Sequence, residues 1–225
     1  NTNARDLINA GLNNLFGEVS WFYGTNSSDS INRVVTYNYI ESSPQRPVWT
    51  VGTLPRTAWS DSAVFDKPHA CYYGSSDNAS YDVQGNTDGS TIYYEQETGT
   101  DQVVSGGTVT AVLANIESGD FDITQDAKEG ITFRGDGEYL MKIRRFIPDF
   151  VSQTGNTQVT LNLKDYSNSS QASSPLGPFT VTSSTTKVDT RARARSVALK
   201  IENTGASQNW KLGTFRLDVQ ADGRR

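Results

Sequence analysis

Short runs of β-branched and aromatic residues, separated by turn-forming residues, are the feature that most constrains the fold of this chain. Side chains alternate with a period of two in EVSWFY (18–23), and TQVTLNLKDY (157–166) has the same character. This period places successive side chains on opposite faces of a β-strand. Clusters of Gly, Asn, Asp and Ser separate the runs, which begin roughly every dozen residues. The rhythm predicts antiparallel meanders, as in a sandwich, a barrel or a propeller blade.

One segment near the start of the chain departs from this period. Apolar residues recur at near-helical spacing across residues 6–16, and Gly17 stands where such a helix would end. Asp6 lies where a negative charge favours a helix N-terminus. The sequence therefore predicts one short N-terminal helix and no second helix of useful length in an otherwise all-β chain.

The segment 98–108, which is rich in Gly and Thr, is the candidate boundary between two modules. We predict that residues 1–100 form a β module that includes the N-terminal helix. A second β module, similar to a sandwich, is predicted at residues 105–225. The Ser- and Pro-rich segment 167–178 is predicted to be a loop within the second module.

Charge and composition exclude several classes of protein. A net charge of −5 does not favour attraction of the whole molecule to nucleic acid phosphate. No apolar run approaches the ~18 residues of a membrane-spanning helix, so we predict no membrane span. The single cysteine, Cys71, cannot form an internal disulfide. Four Trp, ten Tyr and nine Phe supply apolar area that argues against a disordered chain.

Candidate catalytic and metal-binding patterns are weak. His69 and Cys71 would share one face of a strand, but no third group is indicated that would orient a nucleophile and its base. The acidic loop 120–129 resembles a calcium loop in its spacing. However, Gln125 and Ile131 stand where an EF-hand requires Gly and Glu. We predict no enzymatic activity, no catalytic residue, no cofactor and no metal.

The sharpest local feature is the run RARAR (191–195), in which three arginines alternate with alanine. On a strand, Arg191, Arg193 and Arg195 would project from one face at spacings of about 6.5–7 Å. Because three neighbouring cations repel each other, they require carboxylates, phosphates or another chain opposite them. One interpretation is a solvent-facing ladder paired with a neighbouring strand, for which Asp218 is a candidate partner. The other is an interface between subunits or a contact with a polyanion, of which the interface is favoured, with these arginines as its candidate residues.

Two tyrosine pairs are candidate platforms for a sugar ring. They are Tyr72 with Tyr73 and Tyr93 with Tyr94. On a strand the two members of each pair must face opposite sides. Packing of these rings across neighbouring strands is the favoured interpretation.

Two ordered sets of motifs extend over most of the chain. The first comprises EVSWFY (18–23), NRVVTYNYI (32–40), VWTVG (48–52) and RTAWSDSAVF (56–65). The second is the C-terminal run 182–225, in which RARAR is followed by WKLGTFRLD and GRR. In this order the motifs resemble the tail nozzle (tail tubular protein B) and packaged-DNA-stabilisation proteins of short-tailed bacteriophages, chiefly their C-terminal parts.

The resemblance implies a virion structural protein with a β-propeller and further β domains. Nozzle proteins form a sixfold ring below the portal and adaptor, and their central channel carries the genome outward. One propeller blade would span about residues 33–97, because a blade has four strands. The family's chains are much longer than 225 residues and this chain does not begin with Met, so we expect it to be the C-terminal part of a longer protein.

The partners that the resemblance implies are copies of this chain in a ring, the portal or adaptor, and other tail proteins. DNA is expected to pass without specific binding, which agrees with the negative net charge and leaves the arginine run for contacts between subunits. The implied location is the phage tail, after synthesis in the host bacterial cytoplasm. The alternative is a carbohydrate- or receptor-binding β module of a viral or secreted protein. A secreted enzyme acting on glycans ranks below both.

Overall fold

A computed structural model describes most of the chain as antiparallel β-structure. The described residues are 7–26, 28, 30–62, 65–73, 91–103, 109–126, 130–133, 137–166 and 174–224. The chain divides into two compact units, Asn1–Gly99 and Thr100–Arg225. Every pairing between strands within the described residues is antiparallel. The prediction of an all-β, antiparallel fold is therefore confirmed.

The first unit contains two sheets whose strands follow each other in chain order. A four-stranded sheet has the order β1-β2-β3-β4, and a three-stranded sheet has the order β5-β6-β7. The strands are β1 (Asn9–Asn13), β2 (Glu18–Tyr23), β3 (Arg33–Ser43), β4 (Arg46–Gly52), β5 (Ala58–Ser60), β6 (His69–Tyr73) and β7 (Thr91–Glu95). These are the meanders that the two-residue period predicts. The run SYDVQ (80–84), which the same period predicts to be a strand, lies outside the described residues.

The predicted N-terminal helix is wrong: the described residues contain no α-helix, and the segment forms β1. This strand pairs with β2 from Asn9 opposite Phe22 to Asn13 opposite Glu18. Asn and Gly are poor helix formers, so the segment has little intrinsic preference to oppose pairing with its neighbour. The indole Nε1 of Trp59 also donates a hydrogen bond to the carbonyl oxygen of Leu12, at 3.0 Å. Tertiary contacts therefore decide the structure of this segment.

Trp59 lies directly over the backbone of β1 at Gly11. A Cβ atom at this position would collide with the indole ring, whereas a Cβ at Gly52 would lie 3.7 Å from Cγ1 of Val34, an ordinary contact. We therefore expect Gly11→Ala to lower the free energy of unfolding by about 1–3 kcal/mol, the usual cost of overpacking. Urea denaturation monitored by tryptophan fluorescence measures this difference. The matched control, Gly52→Ala, should not destabilise the protein, and equal destabilisation of both variants would contradict the account.

The core of the first unit lies on one face of the four-stranded sheet. Phe22, Ile31 and Val34 are buried there, with Leu54 and Trp59 packed against them. The rings of Phe22 and Trp59 stack with centroids 5.5 Å apart. This face therefore meets the segment that leads into the three-stranded sheet, and the opposite face does not take part in this core.

The second unit contains thirteen of the described strands. They form a four-stranded sheet in the order β10-β18-β15-β16, a three-stranded sheet in the order β17-β13-β20, and three two-stranded pairs, β8-β9, β11-β12 and β14-β19. The strands are β8 (Asp101–Val103), β9 (Val109–Ala111), β10 (Asn115–Glu117), β11 (Thr124–Asp126), β12 (Gly130–Thr132), β13 (Tyr139–Ile147), β14 (Phe150–Thr154), β15 (Thr157–Lys164), β16 (Ser174–Val181), β17 (Val188–Ala194), β18 (Ser196–Asn203), β19 (Asn209–Leu212) and β20 (Arg216–Arg224).

The core of the second unit combines side chains from its two larger sheets. One buried cluster joins Met141 and Ile143 of β13 and Ala192 of β17 to Leu161 of β15 and Val197 of β18. A second cluster is centred on Phe146, with Val159, Val181 and Ile201. Because each cluster takes residues from both sheets, the inner faces of these sheets pack against each other. The opposite, outer face of the three-stranded sheet is not part of this core.

Candidate functional site

The RARAR run forms the end of β17, and its alternation has a direct structural cause. Ala192 and Ala194 are buried opposite Ile143 and Met141 of β13, where only a small side chain faces the core. Arg191 and Arg193 are exposed on the other face of the strand. The expectation that these two arginines project from one face is therefore met.

Arg195 is placed differently from the other two arginines. It follows the end of β17, and its guanidinium donates hydrogen bonds to backbone carbonyl oxygens. These acceptors are the carbonyl oxygens of Asp165, at 3.1 Å from Nε, and of Gly137 and Glu138, which both accept from Nη1. Arg195 thus ties the end of β17 to two other segments of the second unit.

Cations from β13 stand beside the exposed arginines of β17. Lys142 lies directly opposite Arg193 in the strand register. The register shifts between Ile143 and Arg145 against both neighbouring strands, an irregularity that brings Arg144 and Arg145 together at this outer face. The result is a polar cleft of about 500 Å³, which we call the basic cleft. Its lining residues are Lys142, Arg144, Arg145, Asp189, Thr190, Arg191, Arg193 and Asp222.

Carboxylates of the same unit neutralise only part of the basic cleft. Nε of Arg193 donates to a carboxylate oxygen of Asp222, so Asp222 rather than the expected Asp218 is the partner of this arginine. Asp218 instead forms an ion pair with Arg145, with Oδ2 3.2 Å from Nε. Asp189 lies farther from the same nitrogen, at 3.9 Å.

Three cations of the basic cleft remain without a partner. Within the part of the chain that the structure describes, Lys142, Arg144 and Arg191 form no ion pair and no hydrogen bond through their side chains, and all three are exposed. Like charges placed directly opposite each other on neighbouring strands destabilise a sheet. The cleft therefore presents positive charge that the described part of its unit does not compensate.

A second surface, the aromatic face, lies on the four-stranded sheet of the first unit. The strand register aligns Val19, Tyr37 and Trp49 across three strands, with Trp21 next to them on the same face. The ring centroids of Tyr37 and Trp49 lie 4.7 Å apart, and those of Trp21 and Trp49 lie 6.0 Å apart. Trp49 is 53% exposed and Val51 is 70% exposed. This is an apolar sheet face that the core of its own unit does not cover.

The individual strands of the aromatic face are recognisable in the sequence, but the face itself was missed. Each of the runs 18–23, 32–40 and 48–52 shows strand character. The register that joins Tyr37 to Trp49 and Val19 is what assembles them. If these consecutive strands are paired as hairpins, their aromatic residues fall side by side, and this alignment could have predicted the face.

Glu18, in the four-stranded sheet that carries the aromatic face, and Glu97 repel each other electrostatically. Burial raises the pKa of the Glu18 carboxyl above its ordinary value of 4.5, and the negative charge of Glu97 raises it further, while a hydrogen bond from Asn38 lowers it. Asn13, opposite Glu18 in the sheet, donates a hydrogen bond to Oε1 of Glu97 at 3.2 Å. The ionised form of Glu18 is therefore disfavoured in the folded protein.

This raised pKa predicts a pH dependence of stability. The folded protein holds the Glu18 proton more tightly than the unfolded chain, so stability is lost as the pH rises from about 4.5 through the raised pKa. We expect Glu18→Gln to raise the melting temperature by about 1–2 °C at pH 7, a small effect because solvent screens a partly exposed carboxyl. At pH 4 the difference should vanish. Thermal melts at both pH values measure it, and an offset independent of pH would contradict the assignment.

The candidate catalytic pair lies on one face of β6, as the strand spacing predicts. Nδ1 of His69 forms a hydrogen bond with the hydroxyl of Tyr93, and the ring of Phe65 lies 4.3 Å from the imidazole between centroids. Cys71 is half-buried opposite Tyr93. His69 is thus held by aromatic neighbours in the described structure.

The tyrosines of β6 and β7 face opposite sides of their sheet, as expected. Tyr72 is fully buried, whereas Tyr93 is exposed on the other side. Tyr94 packs under Arg56, whose guanidinium carbon lies 4.1 Å from the ring centroid. Burial lowers the pKa of Arg56 from its ordinary value. Of the four tyrosines, only Tyr93 offers an exposed ring among the described side chains.

The acidic loop 120–129 shows no assembled metal site. Nζ of Lys164 donates to Oδ2 of Asp120 at 2.6 Å, so this carboxylate already has a cationic partner. The side chain of Asp126 and all of Glu129 lie outside the described residues. Within the described residues, no three His, Cys, Asp or Glu side chains are grouped so that they could hold a metal ion.

An apolar cavity of about 310 Å³ also opens on the second unit. It is lined by Ser118, Phe121, Phe133, Leu199, Phe215 and Leu217. The rings of Phe121 and Phe133 meet edge to face with centroids 5.8 Å apart. None of the described residues that line the cavity is charged, so these residues offer mainly apolar packing area.

Comparison with known proteins adds no relative to these observations. In the residues that the structure describes, no helix is long and apolar enough to cross a membrane. No protein-family model matches the chain, and no curated protein matches it.

Proposed function

We propose that this chain is a structural subunit of a bacteriophage tail nozzle, and that it acts in an oligomeric ring through which the genome is ejected. The observation that carries the proposal is the ordered C-terminal motif set in residues 182–225. These residues form β17 to β20, and β17 and β20 flank β13 in the sheet that carries the basic cleft. The motifs behind the resemblance therefore contribute Arg191, Arg193 and both carboxylates of the basic cleft.

Two exposed surfaces support an assembling protein. The basic cleft holds cations without partners among the described residues, and the aromatic face exposes large apolar side chains. Contiguous apolar patches of this kind mark interaction sites more often than free surface. The in-order meander β1-β2-β3-β4 has four strands, as a propeller blade does, but it lies within residues 9–52. The described strands of the expected blade at 33–97 are instead divided between two sheets. The four-stranded meander supports the propeller-like character that the resemblance implies.

The negative net charge supports the role of a conduit. A chain with a net charge of −5 does not attract DNA over long distances, so the genome passes without specific binding. Arg191 and Arg193 then serve contacts between subunits, and Arg195 holds the strand end that presents them. The proposed partners are copies of this chain, the portal or adaptor, and other tail proteins. The proposed location is the phage tail, after synthesis in the host bacterial cytoplasm, and the proposed role requires no catalysis.

Electron microscopy of the purified chain tests this role. We expect closed rings with an open central channel, sixfold by the resemblance. Incubation with linear double-stranded DNA should leave the DNA unretained at physiological salt. Particles without a channel, or rings that retain DNA tightly, would contradict the role of a conduit.

The aromatic face favours a second candidate function, carbohydrate binding. Exposed Trp and Tyr rings arranged side by side offer stacking surfaces to sugar rings, and Trp49 and Tyr37 are placed in this way. A glycan array with the wild-type chain and Trp49→Ala tests this candidate. Binding that is lost in Trp49→Ala would favour the carbohydrate-binding module over the nozzle. Absence of binding by the wild-type chain would remove this candidate.

A further inference from the structure

The basic cleft is arranged to receive an anion that the described residues of its unit do not supply. Lys142 and Arg193 lie opposite each other in register, and Arg144 and Arg191 line the same cleft. Asp222 compensates Arg193, while Lys142, Arg144 and Arg191 have no ionic partner among the described residues. Cations held this close together are unfavourable until a negatively charged group binds between them.

The charge of the chain identifies a suitable occupant. Five cations and two carboxylates line the cleft, which gives it a net charge of +3. The whole chain has a net charge of −5, so the remainder of the same molecule carries −8. The rest of an identical chain is therefore opposite in net charge to the cleft. Complementary charges of this kind steer association and fix the register of an interface.

We propose that the basic cleft binds carboxylate side chains on the acidic surface of a second copy of this chain, and that this contact is head-to-tail. The inference rests on the proposed function, because it names the partner of the candidate interface in the ring. Arginine suits this role because its planar guanidinium binds a carboxylate through two parallel hydrogen bonds. Arg144 and Arg191 are exposed and have this capacity free in the described structure.

The sign of the charge restricts the symmetry of the contact. A two-fold interface centred on the cleft would place the same +3 surface of both copies against itself. The cleft must therefore meet a different surface of the neighbouring copy. Repeated head-to-tail contacts close into a ring when the rotation between neighbours closes, whereas a two-fold contact stops at a dimer. A two-fold dimer in which each cleft meets a different surface of the other copy obeys the same rule, so the head-to-tail arrangement rests on the proposed ring.

Charge reversal in the cleft tests the site. We expect Arg191→Glu and Arg144→Glu each to raise the concentration at which the assembly dissociates at least tenfold, as measured by mass photometry. The matched control Arg46→Glu changes the same charge at an exposed position of β4 and should stay within about twofold of the wild type. Melting temperatures should be unchanged in both cleft variants, because neither arginine has an ionic partner within the described chain. Raising the salt concentration should weaken wild-type assembly.

A mixing experiment tests the head-to-tail arrangement. A chain carrying both Arg144→Glu and Arg191→Glu still offers its acidic surface but no working cleft. Added in equal amount to the wild type, it should terminate growing assemblies and reduce the number of complete rings. If the contact were two-fold, the wild-type chains would pair with each other and assemble unaffected, which would overturn the inference.

The remaining outcomes separate this inference from the proposed function. If the Arg191→Glu variant forms rings as well as the wild type does, the cleft is not the interface between copies, and the proposal of a ring still stands. A wild-type chain that stays monomeric at all concentrations would overturn both. Binding of a short DNA duplex that is lost in Arg191→Glu would also overturn the inference, because phosphate rather than carboxylate would then occupy the cleft.

Discussion

Replacing Phe146 with alanine should lower the free energy of unfolding by about 3–5 kcal/mol, the usual cost of emptying a buried aromatic site. Phe146 is 0% exposed at the centre of the second buried cluster. Its ring stacks on Phe215 with centroids 5.3 Å apart and meets Phe179 edge to face at 5.7 Å. A loss of this size is a large share of the ~5–15 kcal/mol that a typical domain possesses.

Urea denaturation of the variant and of a matched control measures this effect. The control is Phe133→Ala, which removes the same ring from a position that is 59% exposed. We expect the control to cost less than about 1 kcal/mol, because exposed substitutions rarely cost more. Equal costs at the two positions would mean that the two larger sheets of the second unit do not share a core as described.

The second large effect is expected at Arg193, where charge reversal should impair assembly far more than folding. Arg193→Glu removes the ion pair with Asp222 and places two carboxylates side by side. Both side chains are largely exposed, so the cost to the folded monomer should stay below about 1 kcal/mol. The dissociation concentration of the ring should rise at least tenfold, because one cation of the interface becomes an anion.

Parallel measurements of melting temperature and assembly separate the two contributions. The charge-restoring double variant Arg193→Glu with Asp222→Arg re-forms the pair in reverse order and should recover the stability of the monomer. It should not fully recover assembly, because position 193 still carries a negative charge, which repels the carboxylates of a neighbouring copy. Intact rings in Arg193→Glu would count against a role for this residue between subunits.

The sequence predicts the strands well because their period depends only on local chemistry. Alternation in 18–23 and 157–166 marks β2 and β15, where every second side chain faces a core. The same reasoning correctly places Arg191 and Arg193 outward, since Ala192 and Ala194 between them are buried with Met141 and Ile143. Local alternation thus predicts which face a residue occupies.

The sequence fails where contacts between distant residues decide the outcome. The predicted helix over 6–16 becomes β1 because a neighbouring strand and Trp59 cover it. The predicted loop over 167–178 contains the start of β16, an edge strand in which proline is tolerated because one side needs no ladder hydrogen bonds. Apolar spacing and proline content do not report these long-range pairings.

The same limit explains why only part of the candidate site was foreseeable. The arginine run is visible in the sequence, but Lys142, Arg144 and Arg145 belong to a strand separated from it by more than forty residues. Register shifts in β13 assign Asp218 to Arg145 and leave Asp222 for Arg193. An irregular register cannot be read from residue types alone, so the cleft emerges only from the fold.

The mass of the particle that the purified chain forms tests the central claim most directly. Each chain has a mass of 24.6 kDa. Mass photometry at micromolar concentration and physiological salt should give one dominant species with the mass of six chains. A single-chain mass that persists up to the highest soluble concentration would contradict the proposal that this protein works as a ring-forming structural subunit.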